Sequence, residues 1–271
     1  MSADVRTVEI TRPRPQVALV TLNRPAASNA MNAALIRDLH TAFASLRDDR
    51  GCRVIVLTGA GRAFCAGLDL KEGATPPAAA GLGRVQSGLV VQQAIAALVP
   101  LMRGMRQPII AAVNGAASGG GLALALASDV RLAAASARFN VAFVRIGLSG
   151  CDIGVSWLLP RLIGASRAYE LMLTGRFLPA EEAKAMGLVL DVVPDGAVVD
   201  AALAEADLIA RNSPFGVQMT KEVMWSQLEI GSLAAGIDLE NRTQLLASHT
   251  GDMMEAIAAF LAKRPPEFNE Q

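Results

Sequence analysis

The stretch that most constrains the fold runs from Ile109 to Asp129, I-I-A-A-V-N-G-A-A-S-G-G-G-L-A-L-A-L-A-S-D. Ile109 to Val113 is a short apolar run that reads as a buried strand. Leu122 to Ala127 is an apolar run of good helix formers. Between them stand Gly119, Gly120 and Gly121. Glycines there leave backbone N–H groups unshielded, and a helix N-terminus adds unpaired donors and a partial positive charge. Such a turn can hold an anion, or an oxygen that becomes one during reaction. It can equally serve only to let the helix pack tightly on its strand. The spacing matches neither the dinucleotide fingerprint G-x-G-x-x-G nor the phosphate loop G-x-x-x-x-G-K-[ST].

A second strand of the same kind precedes it. Arg53 to Thr58 is rich in β-branched residues and empties into a glycine-bearing loop, Gly59 to Lys71. If the two strands are sheet neighbours, both loops lie at one edge, where α/β sheets bind ligands. Val5 to Ile10 and Val17 to Leu22 alternate as strands, with R-P-R-P read as a connector. Leu35, Ile36, Leu39, Ala42, Phe43 and Leu46 recur at helical spacing, with His40 on the solvated side. Glu72 to Gly88, rich in Ala, Gly and Pro, reads as the mobile segment of the chain, and a helix is expected over Val90 to Met105. Beyond residue 195 the pattern becomes all-helical. This divides the chain into a mixed α/β core, 1–195, and a helical region, 196–271.

The composition excludes several classes of function. Lysine plus arginine equal aspartate plus glutamate at 25 each, which gives no support for nucleic acid or an anionic membrane as partner. Two histidines, His40 and His249, are too few for a histidine-rich metal site, and no metal ligand set is expected. Three cysteines, Cys52, Cys65 and Cys151, follow no metal spacing and suit a reducing cytoplasm. The N-terminus has no apolar signal core, and no uninterrupted apolar run reaches the length of a membrane span.

Several segments, taken together and in order, carry a resemblance. They are L-N-R-P-A-A-S-N-A-M, V-I-V-L-T-G-A-G-R-A-F-C-A-G-L-D-L-K, the glycine-triplet stretch, P-R-L-I-G-A-S-R-A-Y-E-L-M-L-T-G-R, E-A-K-A-M-G-L-V and A-F-L-A-K-R-P-P-E-F. In these the chain resembles the enoyl-CoA hydratase/isomerase, or crotonase, superfamily over nearly its whole length. The resemblance implies a crotonase-like α/β spiral of repeated β-β-α units with a C-terminal helical trimerisation region. It implies a homotrimer or a hexamer of paired trimers, and a CoA thioester substrate. No separate cofactor is implied, since coenzyme A enters as part of the substrate. It also implies an oxyanion hole of two backbone N–H groups, which the motifs put on Leu68 and Gly120. Ala66, Leu70 and Lys71 match the segment along the pantetheine and nucleotide. Phe260 and Lys263 match positions that approach CoA, often from a neighbouring subunit.

The chain departs from the family where chemistry is decided. Of the two hydratase glutamates, one position holds Ala123 and the other Phe143. Neither side chain can transfer a proton, so efficient hydration by the usual route is not expected. One acid remains nearby: Asp152, in S-G-C-D-I-G, which aligns with an aspartate of dienoyl-CoA isomerases and lies near one used by chlorobenzoyl-CoA dehalogenases. An apolar setting beside Phe143 and Trp157 would suit such a base, whereas the bland alternative is that Asp152 merely caps the helix that follows. Isomerase-type chemistry through Asp152 is therefore the favoured expectation. The alternatives are hydration by a non-standard route, Asp152-dependent thioester hydrolysis or dehalogenation, and acyl-CoA binding without catalysis.

Overall fold

The computed structural model describes residues 6–269. Val5, the expected start of the first strand, lies outside them. Ten strands form two sheets. In chain order they are β1 (Val8–Arg14), β2 (Val17–Leu22), β3 (Val54–Gly59), β4 (Ala63–Cys65), β5 (Ile109–Val113), β6 (Ala116–Ser118), β7 (Val130–Ala134), β8 (Arg138–Asn140), β9 (Leu178–Pro179) and β10 (Asp191–Val193). The larger sheet has the order β1-β2-β3-β5-β7-β10 and the smaller β4-β6-β8-β9. From β2 to β10 the larger sheet is parallel. Each of β3, β5 and β7 feeds a short partner strand in the smaller sheet, which makes the β-β-α repeat.

Every residue of β3 and β5 is buried, the signature of a parallel strand covered on both faces. On one face lie α1 (Ala33–Asp48), α2 (Arg84–Ala96), α3 (Leu98–Arg103), α4 (Gly120–Ala127), α5 (Val155–Ile163), α6 (Ala165–Thr174) and α7 (Ala180–Ala185), built around a core that includes Phe43, Phe64 and Phe139. The other face is covered by α8 (Val198–Ala210), whose Val198, Ala202, Leu203 and Ala206 pack on Val54, Val56, Ile110 and Ala112. The first helix past residue 195 is thus a layer of the sheet core. The chain closes with α9 (Pro214–Gln227), α10 (Leu233–Ser248) and α11 (Gly251–Leu261).

Three local expectations need correction. The R-P-R-P segment extends β1 and turns tightly into β2, with Arg14 opposite Val17. Pro13 fits within β1 because that is an edge strand, whose outer N–H groups have no ladder to join, and Pro15 lies in the turn. The expected helix over 90–105 begins earlier, at Arg84, and is two helices, α2 and α3. His40 is half-buried, and its Nε2 lies 2.8 Å from the Ala94 carbonyl, joining α1 to α2. The stretch Arg84–Arg103 has the length and apolarity of a membrane span. Within it Ile95, Leu98, Val99 and Met102 are buried in the core.

Lys221 on α9 fastens the helical extension to this core. Its ammonium is buried, donates to the carbonyls of Met102 and Gln107, and pairs with Asp129 at 2.9 Å. Burial lowers its pKa, and Asp129 partly offsets that. Asp129 also accepts the Ile109 N–H and the Trp225 indole N–H. Removing one member of such a pair leaves an uncompensated buried charge. Lys221→Met should therefore cost about 3–5 kcal/mol of unfolding free energy, read from the shift of the urea midpoint.

Candidate functional site

The two glycine loops leave adjacent parallel strands. β3 and β5 are neighbours in the larger sheet, and β4 and β6 pair in the smaller one, Ala63 with Ala116 and Cys65 with Ala117. Gly121 packs so closely that a Cβ there would sit 2.1 Å from the Cys65 carbonyl oxygen. Gly67 has φ +90°, and a Cβ on it would lie 2.8 Å from the Ser118 carbonyl oxygen and 3.4 Å from the Gly120 nitrogen. Only glycine meets both demands. Leu68 follows Gly67 and Gly120 follows Gly119, so both candidate amides stand where the loops abut. The neighbouring amides are engaged: Met31 N–H donates to Gly67, Asp69 N–H to Met31, and Gly119 N–H to Asn140. Among the described residues, the Leu68 and Gly120 N–H groups have no protein acceptor.

The first loop is held rigid from both sides. The buried Asn29 amide donates to the carbonyls of Ala60 and Ala63 at 2.9 and 2.8 Å. Arg24 pairs with Asp69 at 2.9 Å and with Glu72 at 2.7 Å. Asp69 Oδ1 accepts the N–H groups of Lys71 and Glu72. The Glu72 N–H and the Arg24 guanidinium hold the Asp69 carboxyl below its ordinary range. Met31 lies beneath the second loop, its Cε 2.4 Å from where a Gly120 Cβ would be. The L-N-R-P-A-A-S-N-A-M segment was legible as a motif, but the tasks of Arg24, Asn29 and Met31 were not.

Phe143 is buried and closes one side, its ring edge 3.3 Å from the Cβ position of Gly119. Ile153 closes another, its Cδ1 3.6 Å from that of Gly120. Ile153 has φ +47°, an uncommon conformation for a β-branched residue. Directly before it, Asp152 is half-buried. Its Oδ1 accepts the Ile153 N–H at 2.8 Å and a hydrogen bond from Gln92 Nε2 on α2. The N-cap position of α5 is Gly154, with no side-chain cap, so Asp152 does not serve as that cap.

Other expected residues scatter. Ala66, Leu70 and Lys71 are exposed along the first loop. Trp157 does not join Asp152 and Phe143. Its indole stacks against the guanidiniums of Arg103 and Arg161, at 4.5 and 3.7 Å, beside a cavity of about 810 Å³ that also borders Trp225, Met224 and Leu228. That cavity carries no free charge from Lys221 and Asp129, which neutralise each other. Phe260 and Lys263 are exposed at the end of α11. The chain just beyond them is tied to the start of β3, where Arg53 donates to the Phe268 carbonyl at 2.8 Å. That is the end of β3 opposite the one that feeds the first glycine loop. Cys65 is buried, which pushes its thiol to about 12, while Cys151 is exposed.

A β-β-α spiral with two glycine loops meeting beside paired parallel strands defines the class of α/β protein that this chain represents. The enoyl-CoA hydratase/isomerase family model matches residues 13–271, and the chain belongs to that family. It is 43% identical over 267 residues to a probable enoyl-CoA hydratase of Mycobacterium tuberculosis, covering 98% of this chain and 94% of that one. It is 38% identical over 252 residues to the 1,2-epoxyphenylacetyl-CoA isomerase of Escherichia coli, covering 93% and 94%. Among solved structures, an enoyl-CoA hydratase/isomerase of Mycobacterium abscessus, described as probable, matches with a TM-score of 0.91 at 40% identity, covering 98% and 99%.

The Arg24–Asp69 brace sets a pH dependence. Because the folded Asp69 pKa is depressed, its contribution is complete above the ordinary carboxylate range and is lost as pH falls through the folded value. Asp69→Asn should lower unfolding free energy by about 2–3 kcal/mol near neutrality. The gap from wild type should narrow below about pH 4 in denaturant titrations across pH. In the native protein, a maleimide should label Cys151 rapidly and Cys65 far more slowly, as counted by mass of the labelled peptides.

Proposed function

We propose that this protein moves a double bond within an acyl-CoA thioester. Leu68 and Gly120 N–H groups bind the thioester oxygen, and Asp152 carries the proton. The observation that carries this reading is the approach of Ile153, the residue after Asp152, whose Cδ1 lies 3.6 Å from where a Gly120 Cβ would stand. Two donors aimed at an oxygen that gains charge would each supply roughly 3 kcal/mol of transition-state stabilisation.

The steps balance with one carboxylate. Asp152 removes a proton from the α-carbon of a 3-enoyl thioester, and the electron pair spreads onto the thioester oxygen and the C3=C4 bond. The resulting dienolate is held by the two amides. Asp152 then returns the proton to C4, which leaves a 2-enoyl thioester and the original carboxylate. Hydration needs a further group to orient and deprotonate water. The positions where the family's hydratases keep glutamates hold a fully buried Ala123 and a buried Phe143. No dissociable cofactor or metal enters this scheme, and coenzyme A arrives as part of the substrate. Assembly as a trimer or hexamer would bring Phe260 and Lys263 of a neighbouring copy toward the nucleotide.

The test is incubation of purified protein with 2-enoyl-, 3-enoyl- and dienoyl-CoA thioesters, read by mass and ultraviolet absorbance. Isomerisation leaves mass unchanged and shifts the conjugated-thioester absorbance. Hydration adds the mass of water, and hydrolysis releases free CoA. Asp152→Asn should lower isomerisation by about 100-fold or more while thioester binding persists. Full activity in that variant would remove Asp152 from the mechanism.

A further inference from the structure

We propose that Gln92 is a positioning residue for Asp152, fixing which carboxylate oxygen carries the proton. The inference rests on the reading of Asp152 given above. Gln92 stands on α2, in the segment between β4 and β5, 60 residues before Asp152 in the chain. Its Nε2 donates to Oδ1 of Asp152, the same oxygen that accepts the Ile153 N–H at 2.8 Å. Two donors thus converge on one oxygen. Among the described residues Oδ2 accepts no hydrogen bond, which leaves it as the oxygen available to a proton. An aspartate in a flexible turn would rotate about χ2 and present either oxygen. Here the rotation is stopped from two directions.

The backbone supports the same conclusion. Ile153 holds φ +47° although it is β-branched. That conformation costs energy and persists only where surroundings enforce it, a condition that clusters at functional sites. It turns the Ile153 N–H back onto the preceding carboxylate while the Ile153 side chain remains against Gly120. Gln92 secures the outer side of that arrangement from a different element. Arg145, which could have approached Asp152, faces the ring of Phe177 instead. A substrate bound at the glycine loops would therefore meet a carboxylate whose orientation was set before binding, and preorganisation of that kind raises turnover rather than affinity.

The test uses the full-length protein and compares wild type with Gln92→Met, which keeps length and removes the donor, and Gln92→Glu, which replaces the donor by a like charge. Activity is read on 3-enoyl-CoA, and α-proton exchange into deuterated water is read on the matching saturated thioester. Gln92→Met should lower kcat and exchange about 10- to 100-fold, as expected for a lost hydrogen bond to a charged group, with KM within about 2-fold. Gln92→Glu should fall further. Placed in the Asp152→Asn background, Gln92→Met should have no additional effect. Gln92 is exposed, so the melting temperature should not change. An unchanged kcat in Gln92→Met beside an inactive Asp152→Asn would overturn the role of Gln92 and leave Asp152 standing. A raised KM with unchanged kcat would make Gln92 a binding contact and also overturn it. Full activity in Asp152→Asn, or no exchange in wild type, would overturn both.

Discussion

The close approach of two backbone turns governs this molecule. Gly121 lies against the Cys65 carbonyl and Gly67 against the Ser118 carbonyl, at separations no side chain could share. The contact is possible because β4 and β6 run parallel as neighbours, with Cys65 brought opposite Ala117 by a register irregularity after Ala63, so the two turns leave the smaller sheet side by side. Everything else at the site is arranged around that junction. Asn29 and the Arg24–Asp69 pair clamp the first turn, Met31 supports the second, and Phe143 and Ile153 wall it. The cost of two strained, glycine-only turns is offset by a fully buried α4 and by sheet strands covered on both faces.

The chemistry that such a junction can perform depends on which acids surround it. In this chain Phe143 and Ile153 make the wall at the junction apolar, and the half-buried Asp152 stands at its rim, next to Ile153. A rim carboxylate meets two difficulties that a buried one does not. It is open to water, and it can rotate. The hydrogen bonds on Oδ1 address the second directly. Relatives that differ in the reactions their names describe share this framework at similar identity, as expected if the scaffold supplies the oxygen-binding amides and local side chains choose the reaction.

Much of the fold was legible because it rests on periodicity and on glycine. The run Ile109 to Asp129 gave β5 and α4 in their observed order but not the short strand β6 between them, and the parallel pairing of β3 with β5 put both loops at one edge. What escaped was set by contacts distant in sequence. Nothing local marks Lys221 as buried, because its partners are Asp129 and two carbonyls more than 100 residues away. Gln92 sits in a helix with a poor amphipathic pattern, and its task depends on Asp152 arriving from another turn of the chain. Trp157 was grouped with Asp152 by proximity in sequence. The helical turn between them directs the indole toward Arg103 and Arg161 instead. The prolines near the start were read as ending a strand. Pro13 sits within one because it is an edge, and Pro15 lies in the turn that follows.

That edge has a consequence for how copies of the chain can meet. A parallel sheet with a free border invites another chain to zip onto it, the route by which β-rich proteins form fibres. Here one border is β1, interrupted by Pro13 and irregular in register, and the other is β10, only three residues long. Both rims are poor templates for an incoming strand. The open apolar side chains Leu233, Ile237, Met254 and Phe260 lie instead on the closing helices, so neither sheet border offers a route to open-ended growth.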